Sequence, residues 1–289
     1  MKLIVDSGST KATWCVCSST ASLFSFTTEG INPVRDSRDT ISDVVKRASS
    51  AIASELLMGR AASLTHESSV DAIYFYGAGC LPAYTPPLTS LLQQAFPSAS
   101  VEVESDLLGA ARALFQREPG IAAILGTGSN SCLYDGNKIV SNVSPLGWIL
   151  GDEGSGAVLG RLLVGDVLKR QLPQALCDEF MRRYALTPTD IIDAVYRQPM
   201  PNRFLASFVP FLGEHRQDAS IHHLLVVAFR SFFVRNILSY ERSDLPVSFV
   251  GSVAYHFEDE LREAAEKESC TVGRILCNPM PEMVRYHCD

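Results

Sequence analysis

The chain has 289 residues, of which 46% are hydrophobic and 20% charged, so it has enough apolar side chains for the cores of two domains of ordinary size. Its formal net charge of -7, with no cluster of Lys and Arg, argues against a nucleic-acid-binding protein, because such proteins usually present a basic face. Phosphate binding stays open, since backbone N–H groups and a metal ion can bind an anion locally.

No segment is expected to enter a membrane. The apolar run at the N-terminus stops after three residues at Asp6, which is too short for a signal peptide. The stretch 224–238 contains Arg230 and Arg235, and its length and charge predict a helix that does not span a bilayer. The eight cysteines lack the spacing of a zinc site or a disulfide framework, which predicts free, mostly buried thiols in a reducing cytoplasm.

Strands and helices alternate through the first 117 residues, as is typical of an α/β domain. In the first helix, Val45, Ala48, Ile52 and Leu56 recur at helical spacing. The predicted elements in chain order are a strand at 3–5, a turn at 6–10, a strand at 14–16, a helix at 41–58, a strand at 72–76, a helix at 87–96, a strand at 101–103 and a helix at 107–115.

The pattern then restarts at Pro119, which indicates an internal duplication. Gly8 and Gly128 stand 120 residues apart, each in a turn between apolar strands. The predicted elements of the second half are a strand at 121–125, a turn at 126–130, a strand at 131–134, helices up to residue 240 with a long one at 156–170, a strand at 247–250, a helix starting near 255 and a last helix at 282–287.

Two glycine-rich turns have the composition of phosphate-binding loops. The first, Asp6-Ser7-Gly8-Ser9-Thr10-Lys11, offers close backbone approach, hydroxyl donors and a carboxylate that could hold Mg²⁺ through water. It lacks Walker A spacing and leads into a strand, so a plain hairpin turn explains it equally well. The second, Gly126-Thr127-Gly128-Ser129-Asn130-Ser131, has almost no bulky side chains, and a plain hairpin turn does not need so many small residues.

Three further positions allow two interpretations each. Residues 147–156 contain four glycines with Asp152 and Glu153; one acid could cap the following helix, whereas a pair accepting hydrogen bonds from sugar hydroxyls would account for both. Asp106 follows a strand at a helix start, where a cap is more common than a catalytic base. The small residues 251–254 suit either a planar ring such as adenine or tight strand–helix packing.

Taken together and in this order, these segments resemble the acetate and sugar kinase/Hsp70/actin superfamily. Within it they are similar to the BadF/BadG/BcrA/BcrD ATPase group, which joins N-acetylglucosamine kinases to the ATPase subunits of benzoyl-CoA reductase and the activators of 2-hydroxyacyl-CoA dehydratase. The two phosphate motifs match residues 6–11 and 126–131, and the adenosine motif matches 251–254. The run Leu-Gly-Thr-Gly-Ser-Asn-Ser, followed by Gly-Trp and Gly-Asp-Glu-Gly-Ser, is similar to N-acetylglucosamine kinases in particular.

The resemblance implies an α/β fold of two ribonuclease H-like (actin-like ATPase) domains with a nucleotide cleft between them. The domains would span 1–117 and 118–289, and the last helix, about 280–289, would pack back on the first domain. The implied activity is an ATP- and Mg²⁺-dependent kinase for an amino sugar, with N-acetylglucosamine at its 6-hydroxyl as the first expectation. A cytoplasmic homodimer with a small sugar substrate, and with neither nucleic acid nor membrane as a partner, completes the expectation.

The resemblance also assigns roles to individual residues. Asp106 would be the general base, and Asp6 would hold Mg²⁺ through water. Catalysis would consist of positioning and charge neutralisation, with domain closure excluding water. Sugar hydroxyls would be held by Asn32, Asn130 and Asp152, although the Asn32 segment lacks the Asn-His-Trp run of the animal enzyme. The implied nucleotide- and phosphate-binding residues are Ser7, Gly8, Ser9, Thr10, Lys11, Thr127, Gly128, Gly251 and Ser252.

Three alternatives remain at this point. A kinase for glucosamine or another small sugar is the strongest competitor. An ATPase activator of the 2-hydroxyacyl-CoA dehydratase type would need paired cysteines for an iron–sulfur cluster, and Cys80 has no second cysteine near it in the sequence. A non-catalytic sugar sensor would not need Asp6, Asp106 and both glycine turns together.

Overall fold

The computed structural model describes residues 1–8, 10–18, 22–57 and 69–288 and contains two compact units. Unit 1 consists of Met1–Arg117 and Pro279–Asp289, and unit 2 consists of Glu118–Asn278. Each unit has its own hydrophobic core.

Unit 1 is built on a five-stranded mixed sheet with the order β3-β2-β1-β4-β5. Its central strand, β1, is apolar on both faces, and Leu3, Ile4 and Val5 are fully buried, because helices cover a mixed sheet on both sides. The strands are β1 (Lys2–Ser7), β2 (Lys11–Cys17), β3 (Ser22–Glu29), β4 (Ala72–Gly77) and β5 (Ser100–Ser105). The first three are antiparallel neighbours, whereas β4 runs parallel to β1 and β5 parallel to β4. The helices are α1 (Arg38–Leu57), α2 (Thr85–Ala95) and α3 (Asp106–Phe115).

Unit 2 repeats this topology with the order β10-β9-β6-β7-β8. Again three antiparallel strands are followed by two strands parallel to the first of them. The strands are β6 (Gly120–Leu125), β7 (Ser129–Tyr134), β8 (Ile139–Ser141), β9 (Val247–Val250) and β10 (Val272–Leu276). The two five-stranded mixed sheets confirm the predicted α/β class, and their identical topology supports the duplication that the paired turns indicate.

The remaining helices of unit 2 lie between β8 and β9 and between β9 and β10. They are α4 (Gly147–Leu150), α5 (Gly156–Leu168), α6 (Gln174–Tyr184), α7 (Pro188–Tyr196), α8 (Pro201–Ala206), α9 (Val209–Glu214), α10 (Ala219–Phe232), α11 (Ser252–His256) and α12 (Glu258–Lys267). Helix α10 continues through a π-helical turn, Phe233–Ile237, into a 3-10 turn, Leu238–Tyr240.

The continuous helical stretch Ala219–Tyr240 is, by length and composition alone, able to cross a membrane. The expectation that this stretch is too short is therefore wrong, because the helix begins five residues before Leu224 and continues to Tyr240. Leu225, Phe229 and Phe232 are fully buried in the core of unit 2. That burial is typical of a core helix, which passes the same test of length and hydropathy.

The last helix, α13 (Met280–Cys288), belongs to unit 1 and packs on α3. Gln116 Nε2 donates to the carbonyl of Glu282 at 3.2 Å, and Lys2 donates to the carbonyl of His287. The His287 ring stacks on Tyr74 with 3.7 Å between ring centroids and hydrogen-bonds the Tyr76 hydroxyl. Burial, followed by the charge of nearby cations, lowers the pKa of His287 to about 3, so this ring is neutral at physiological pH.

Candidate active site

Two carboxylates of unit 1, Asp6 and Asp106, lie close enough for the charge of Asp106 to raise the pKa of Asp6. Asp6 is the penultimate residue of β1, and Asp106 opens α3 directly after β5, so both stand at the carboxyl edge of the parallel strands. Burial raises the pKa of each to about 6; the charge of Asp106 also raises the pKa of Asp6, which Lys11 lowers. Such carboxylates are ionised at neutral pH and still basic enough to accept a proton in catalysis.

Asp106 is not the cap of its helix. The N-cap of α3 is Ser105, whose hydroxyl accepts the N–H of Leu108 at 3.2 Å. Asp106 Oδ1 accepts the N–H of Leu107 at 2.9 Å, and the backbone N–H of Asp106 itself also lowers the pKa of the carboxylate. The local preference for a cap at Asp106 is therefore wrong by one residue.

The acid pair suits a hydrated Mg²⁺. Mg²⁺ keeps several waters and needs only one or two carboxylates beside the phosphates of a nucleotide. A cation would relieve the repulsion by which Asp106 raises the pKa of Asp6. The described residues contain no group of three or more His, Cys, Asp or Glu side chains that could hold a metal ion, so an ion here would depend on water and nucleotide.

The first glycine turn is a tight hairpin between β1 and β2. The N–H of Gly8 donates to the carbonyl of Lys11 at 3.0 Å, so this amide is satisfied within the turn. Gly8, Thr10 and Lys11 are all exposed, while Ser9 lies outside the described residues. Within this exposed turn, the Lys11 ammonium is near enough to Asp6 to lower the pKa of that carboxyl.

The Ser7 hydroxyl has a structural partner that the motif does not reveal. Ser7 is fully buried; its Oγ donates to the carbonyl of Ile31 at 3.1 Å and accepts the N–H of Ile31 at 2.8 Å. This side chain therefore ties β1 to the segment that carries Asn32. A direct phosphate contact through the Ser7 hydroxyl, as the resemblance implies, would require these bonds to break.

Asn32 is held in place from two sides. Its N–H donates to the Asp36 carboxylate at 2.8 Å, and its Oδ1 accepts the N–H of Val34 at 3.0 Å. The turn after β4 packs against its amide so closely that a Cβ on Gly79, which has φ +77, would overlap Oδ1. No described residue accepts a hydrogen bond from Asn32 Nδ2. That group can therefore donate to a ligand.

In unit 2, the second glycine turn is docked on the start of α5. The carbonyl of Gly126 accepts the N–H of Gly156 at 2.8 Å, and the carbonyl of Thr127 accepts the N–H of Ala157 at 3.0 Å. A Cβ on Gly128 would lie 3.2 Å from Oδ2 of Asp152. The turn, the helix start and Asp152 therefore form one cluster.

The two neighbouring acids of this cluster have different environments. Asp152 has φ +51, and burial raises its pKa to about 6, a shift that the Ser129 amide opposes and the charge of Glu153 promotes. Glu153 is ion-paired with Arg235 and accepts a hydrogen bond from Asn236 at 3.2 Å. Because Glu153 already has these partners, Asp152 is the better candidate for a sugar ligand. Neither acid caps α5, whose N-cap is Ser155.

A cavity of about 600 Å³ opens beside the second glycine turn. Its lining includes Thr127 and Ser252, as the motifs predict, and a second wall within residues 206–216 that no motif indicates. Gly251 does not line it; with φ +126 and a Cβ position that would overlap the carbonyl of Leu125, it is a glycine that sets the strand-to-helix turn. The walls are mainly apolar with a few polar groups, which suits a nucleobase.

The chain is similar in sequence and in structure to known sugar kinases. No protein-family model matches the chain. It is 48% identical to a putative N-acetylglucosamine kinase from Porphyromonas gingivalis, whose crystal structure matches with a TM-score of 0.93 over 100% of this chain and 99% of that one. It is 29% identical over 178 residues to the glucosamine kinase of Vibrio cholerae, a match that spans 60% of each protein. A ROK-family glucokinase from Streptomyces griseus, crystallised with glucose and AMPPNP, shares the fold at 16% identity, with a TM-score of 0.54 over 99% of this chain and 98% of that one.

Proposed function

Since the chain belongs to the N-acetylglucosamine kinase-like family represented by the Porphyromonas gingivalis protein, we propose that it is an ATP-dependent kinase that phosphorylates an amino sugar. The observation that carries the proposal is the pair of ionisable carboxylates, Asp6 and Asp106, at the carboxyl edge of a central sheet. A binding protein would gain nothing from two half-buried acids so close that the charge of one raises the pKa of the other, whereas a kinase needs a base and a metal-binding carboxylate.

In this proposal, Asp106 accepts the proton of the attacking sugar hydroxyl. As that hydroxyl oxygen forms its bond to the γ-phosphorus of ATP, the bond to the leaving ADP oxygen breaks, and the proton passes to the Asp106 carboxylate. Asp6 would hold Mg²⁺ through water, and the ion supplies charge neutralisation to the phosphates. Thr10 and Lys11 are exposed in the adjoining turn, where they could donate to phosphate oxygens.

The nucleotide would be bound by unit 2 through the second turn and the neighbouring cavity. Thr127 and Gly128 would face the phosphates beside the start of α5, and Ser252 would lie against the adenine. The cavity volume of about 600 Å³ is within the range typical of small-ligand sites. Gly251 would act indirectly, by allowing the backbone to turn into α11.

Sugar hydroxyls would be bound by Asn32, Asn130 and Asp152. Asn32 and Asn130 each keep an unpaired Nδ2 donor among the described residues, whereas Asp152 supplies an acceptor. The family supports N-acetylglucosamine, phosphorylated at its 6-hydroxyl, as the first candidate. The similarity to a glucosamine kinase specifically favours the non-acetylated sugar as the second.

We further propose membership of the BadF/BadG/BcrA/BcrD ATPase group, a homodimer, and a cytoplasmic location, all of which the resemblance implies. Domain boundaries near residues 117 and 279 are supported by the two compact units. Size-exclusion chromatography with light scattering tests the dimer.

The sugar assignment is tested by ADP release from Mg-ATP with a panel of sugars: N-acetylglucosamine, glucosamine, N-acetylmannosamine, N-acetylmuramic acid and glucose. ADP release that depends on one amino sugar supports the proposal and names the substrate. ADP release at the same rate with and without every sugar would instead favour an ATPase activator. No ADP release with any sugar would contradict a kinase for these substrates.

A further inference from the structure

The orientation of the Asn130 side-chain amide can be assigned from its neighbours. The N–H of Ser131 lies 2.9 Å from one end of that amide, and because an N–H can only donate, this end is the oxygen, Oδ1. The other end, Nδ2, consequently points away from Ser131. No described residue accepts from it, so Asn130 presents a donor to any ligand.

Asn142 reinforces this orientation. Its Nδ2 lies 2.9 Å from Asn130 Oδ1, 2.7 Å from the carbonyl of Ser131 and 3.1 Å from the carbonyl of Val143. Because all three neighbours are oxygen acceptors, this atom of the Asn142 amide is the nitrogen. Asn142 therefore adds a second donor to Asn130 Oδ1 and resists a turn of the Asn130 amide.

The segment that begins at Asn142 is itself anchored at two further points. The Tyr240 hydroxyl accepts the N–H of Val143 at 3.1 Å and hydrogen-bonds the Ser131 hydroxyl at 2.8 Å. The carbonyl of Pro145 accepts the N–H of Asp152 at 2.9 Å. One short segment thus connects the two residues of unit 2 that are proposed to hold the sugar.

From this network we propose that Asn142 is a positioning residue of the sugar site, which keeps Asn130 as a hydrogen-bond donor while the same segment holds the acceptor Asp152. The inference rests on the proposed kinase function. A donor and a carboxylate held by one segment select a ligand group that both accepts and donates, as a sugar hydroxyl does. An aliphatic or purely accepting group at that place would leave one of the two side chains unsatisfied.

Two substitutions test the role. Asn142→Ala removes the donor, and Asn142→Asp keeps the shape but places an acceptor against Asn130 Oδ1. We expect the KM for the accepted sugar to rise about 3- to 10-fold in N142A, the range of one neutral hydrogen bond, and at least as much in N142D. The kcat should stay within about two-fold of wild type, and the KM for ATP should not change, because only ground-state sugar binding is altered.

Asn137→Ala is the matched control, since Asn137 is an exposed asparagine of the same β7–β8 hairpin. Its sugar KM should equal that of wild type. An unchanged sugar KM in both N142A and N142D would overturn the positioning role, as would a fall in kcat with the sugar KM unaltered.

A measurement on the sugar-free protein separates this inference from the proposed function. In wild type, the Nδ2 protons of Asn130 point away from the Ser131 amide proton and should give a weak NOE to it. In N142D, the new carboxylate repels Asn130 Oδ1 and competes with the hydrogen bond from the Ser131 N–H, so the turned-over amide becomes more populated and this NOE should strengthen. The NOE of N137A should match that of wild type. If no sugar supports turnover, the proposed function fails, and the NOE alone decides: an unchanged NOE in N142D refutes the role of Asn142.

Discussion

Replacing the proposed catalytic base should stabilise the protein at neutral pH. Asp106 is held in a site that raises its pKa to about 6 from an ordinary value of 3.8, mainly through burial. The folded protein therefore binds this proton more tightly than the unfolded chain does. Above pH 6 the ionised carboxylate costs folding free energy, and Asp106→Asn removes that charge while its Oδ1 can still accept the N–H of Leu107.

The size and pH range of the effect follow from the shift. A pKa shift of about two units, at 1.36 kcal/mol per unit, limits the gain in folding free energy to about 3 kcal/mol. Because the ionisations of Asp106 and Asp6 are coupled, we expect a gain of about 1–3 kcal/mol. The gain should be complete above pH 6 and shrink as the pH falls from about 6 to about 4. Below that, Asp106 is protonated in both states and Asn should offer no advantage.

The assay is the thermal midpoint of wild type and D106N at pH 7.5 and pH 4, in EDTA and without nucleotide. At roughly 2–4 °C per kcal/mol, the midpoint of D106N should lie roughly 2–12 °C above wild type at pH 7.5 and near it at pH 4. Asp135→Asn is the control, because the Asp135 carboxylate accepts the N–H groups of Asn137 and Lys138, which lower its pKa. D135N should therefore not raise the midpoint.

Two outcomes would refute this reasoning. A lower midpoint for D106N at pH 7.5 would mean that the carboxylate makes favourable contacts that outweigh its burial. An equal gain at both pH values would mean that the effect does not come from the charge.

Three further predictions concern recognition and pH. Gly79→Ala should raise the sugar KM about 5-fold, the cost of one neutral hydrogen bond, because the added Cβ displaces Asn32. Gly147→Ala is the control: it has a similar φ of +74 but open space around its Cβ, so it should share the backbone strain and leave the sugar KM unchanged. Because the folded protein lowers the pKa of His287 to about 3, the unfolded chain binds this proton first as the pH falls from about 6.5 towards 3, and the protein loses stability. The thermal midpoint of His287→Gln should therefore fall less than that of wild type between pH 7 and pH 4. As Asp106 is protonated below about pH 6, the kcat/KM for the sugar should fall and approach a tenfold loss per pH unit, and a pH profile flat down to pH 5 would contradict its role as base.

Much of the fold follows from local pattern. The apolar runs around the two glycine turns predict both central hairpins, and the structure has them as β1–β2 and β6–β7. By contrast, β3, β8 and β10 are not predicted from the sequence. Strand β3 is an edge strand rich in Ser and Thr, β8 has only three residues, and β10 contains Gly273 and Arg274. Each therefore depends on pairing with a neighbouring strand rather than on its own hydrophobic pattern.

The sequence predicts the parts of the site that lie in motifs, but not the contacts that depend on residues distant in sequence. The Ser7 hydroxyl hydrogen-bonds Ile31, and Glu153 forms an ion pair with Arg235; neither partner is near in sequence. The second wall of the cavity, within 206–216, likewise comes from helices without a motif. The cap at Ser105 shows the opposite case: two adjacent residues could each cap α3, and only the backbone angles decide between them.

The measurement that tests the central claim most directly is product analysis by ³¹P NMR. Wild type and D106N would each be incubated with Mg-ATP and N-acetylglucosamine, with glucosamine in parallel. The account predicts one sugar phosphomonoester for every ADP formed by wild type, and a rate lower by a factor of about 10²–10⁴ in D106N. ADP without a sugar phosphate, or equal rates in the two proteins, would contradict it.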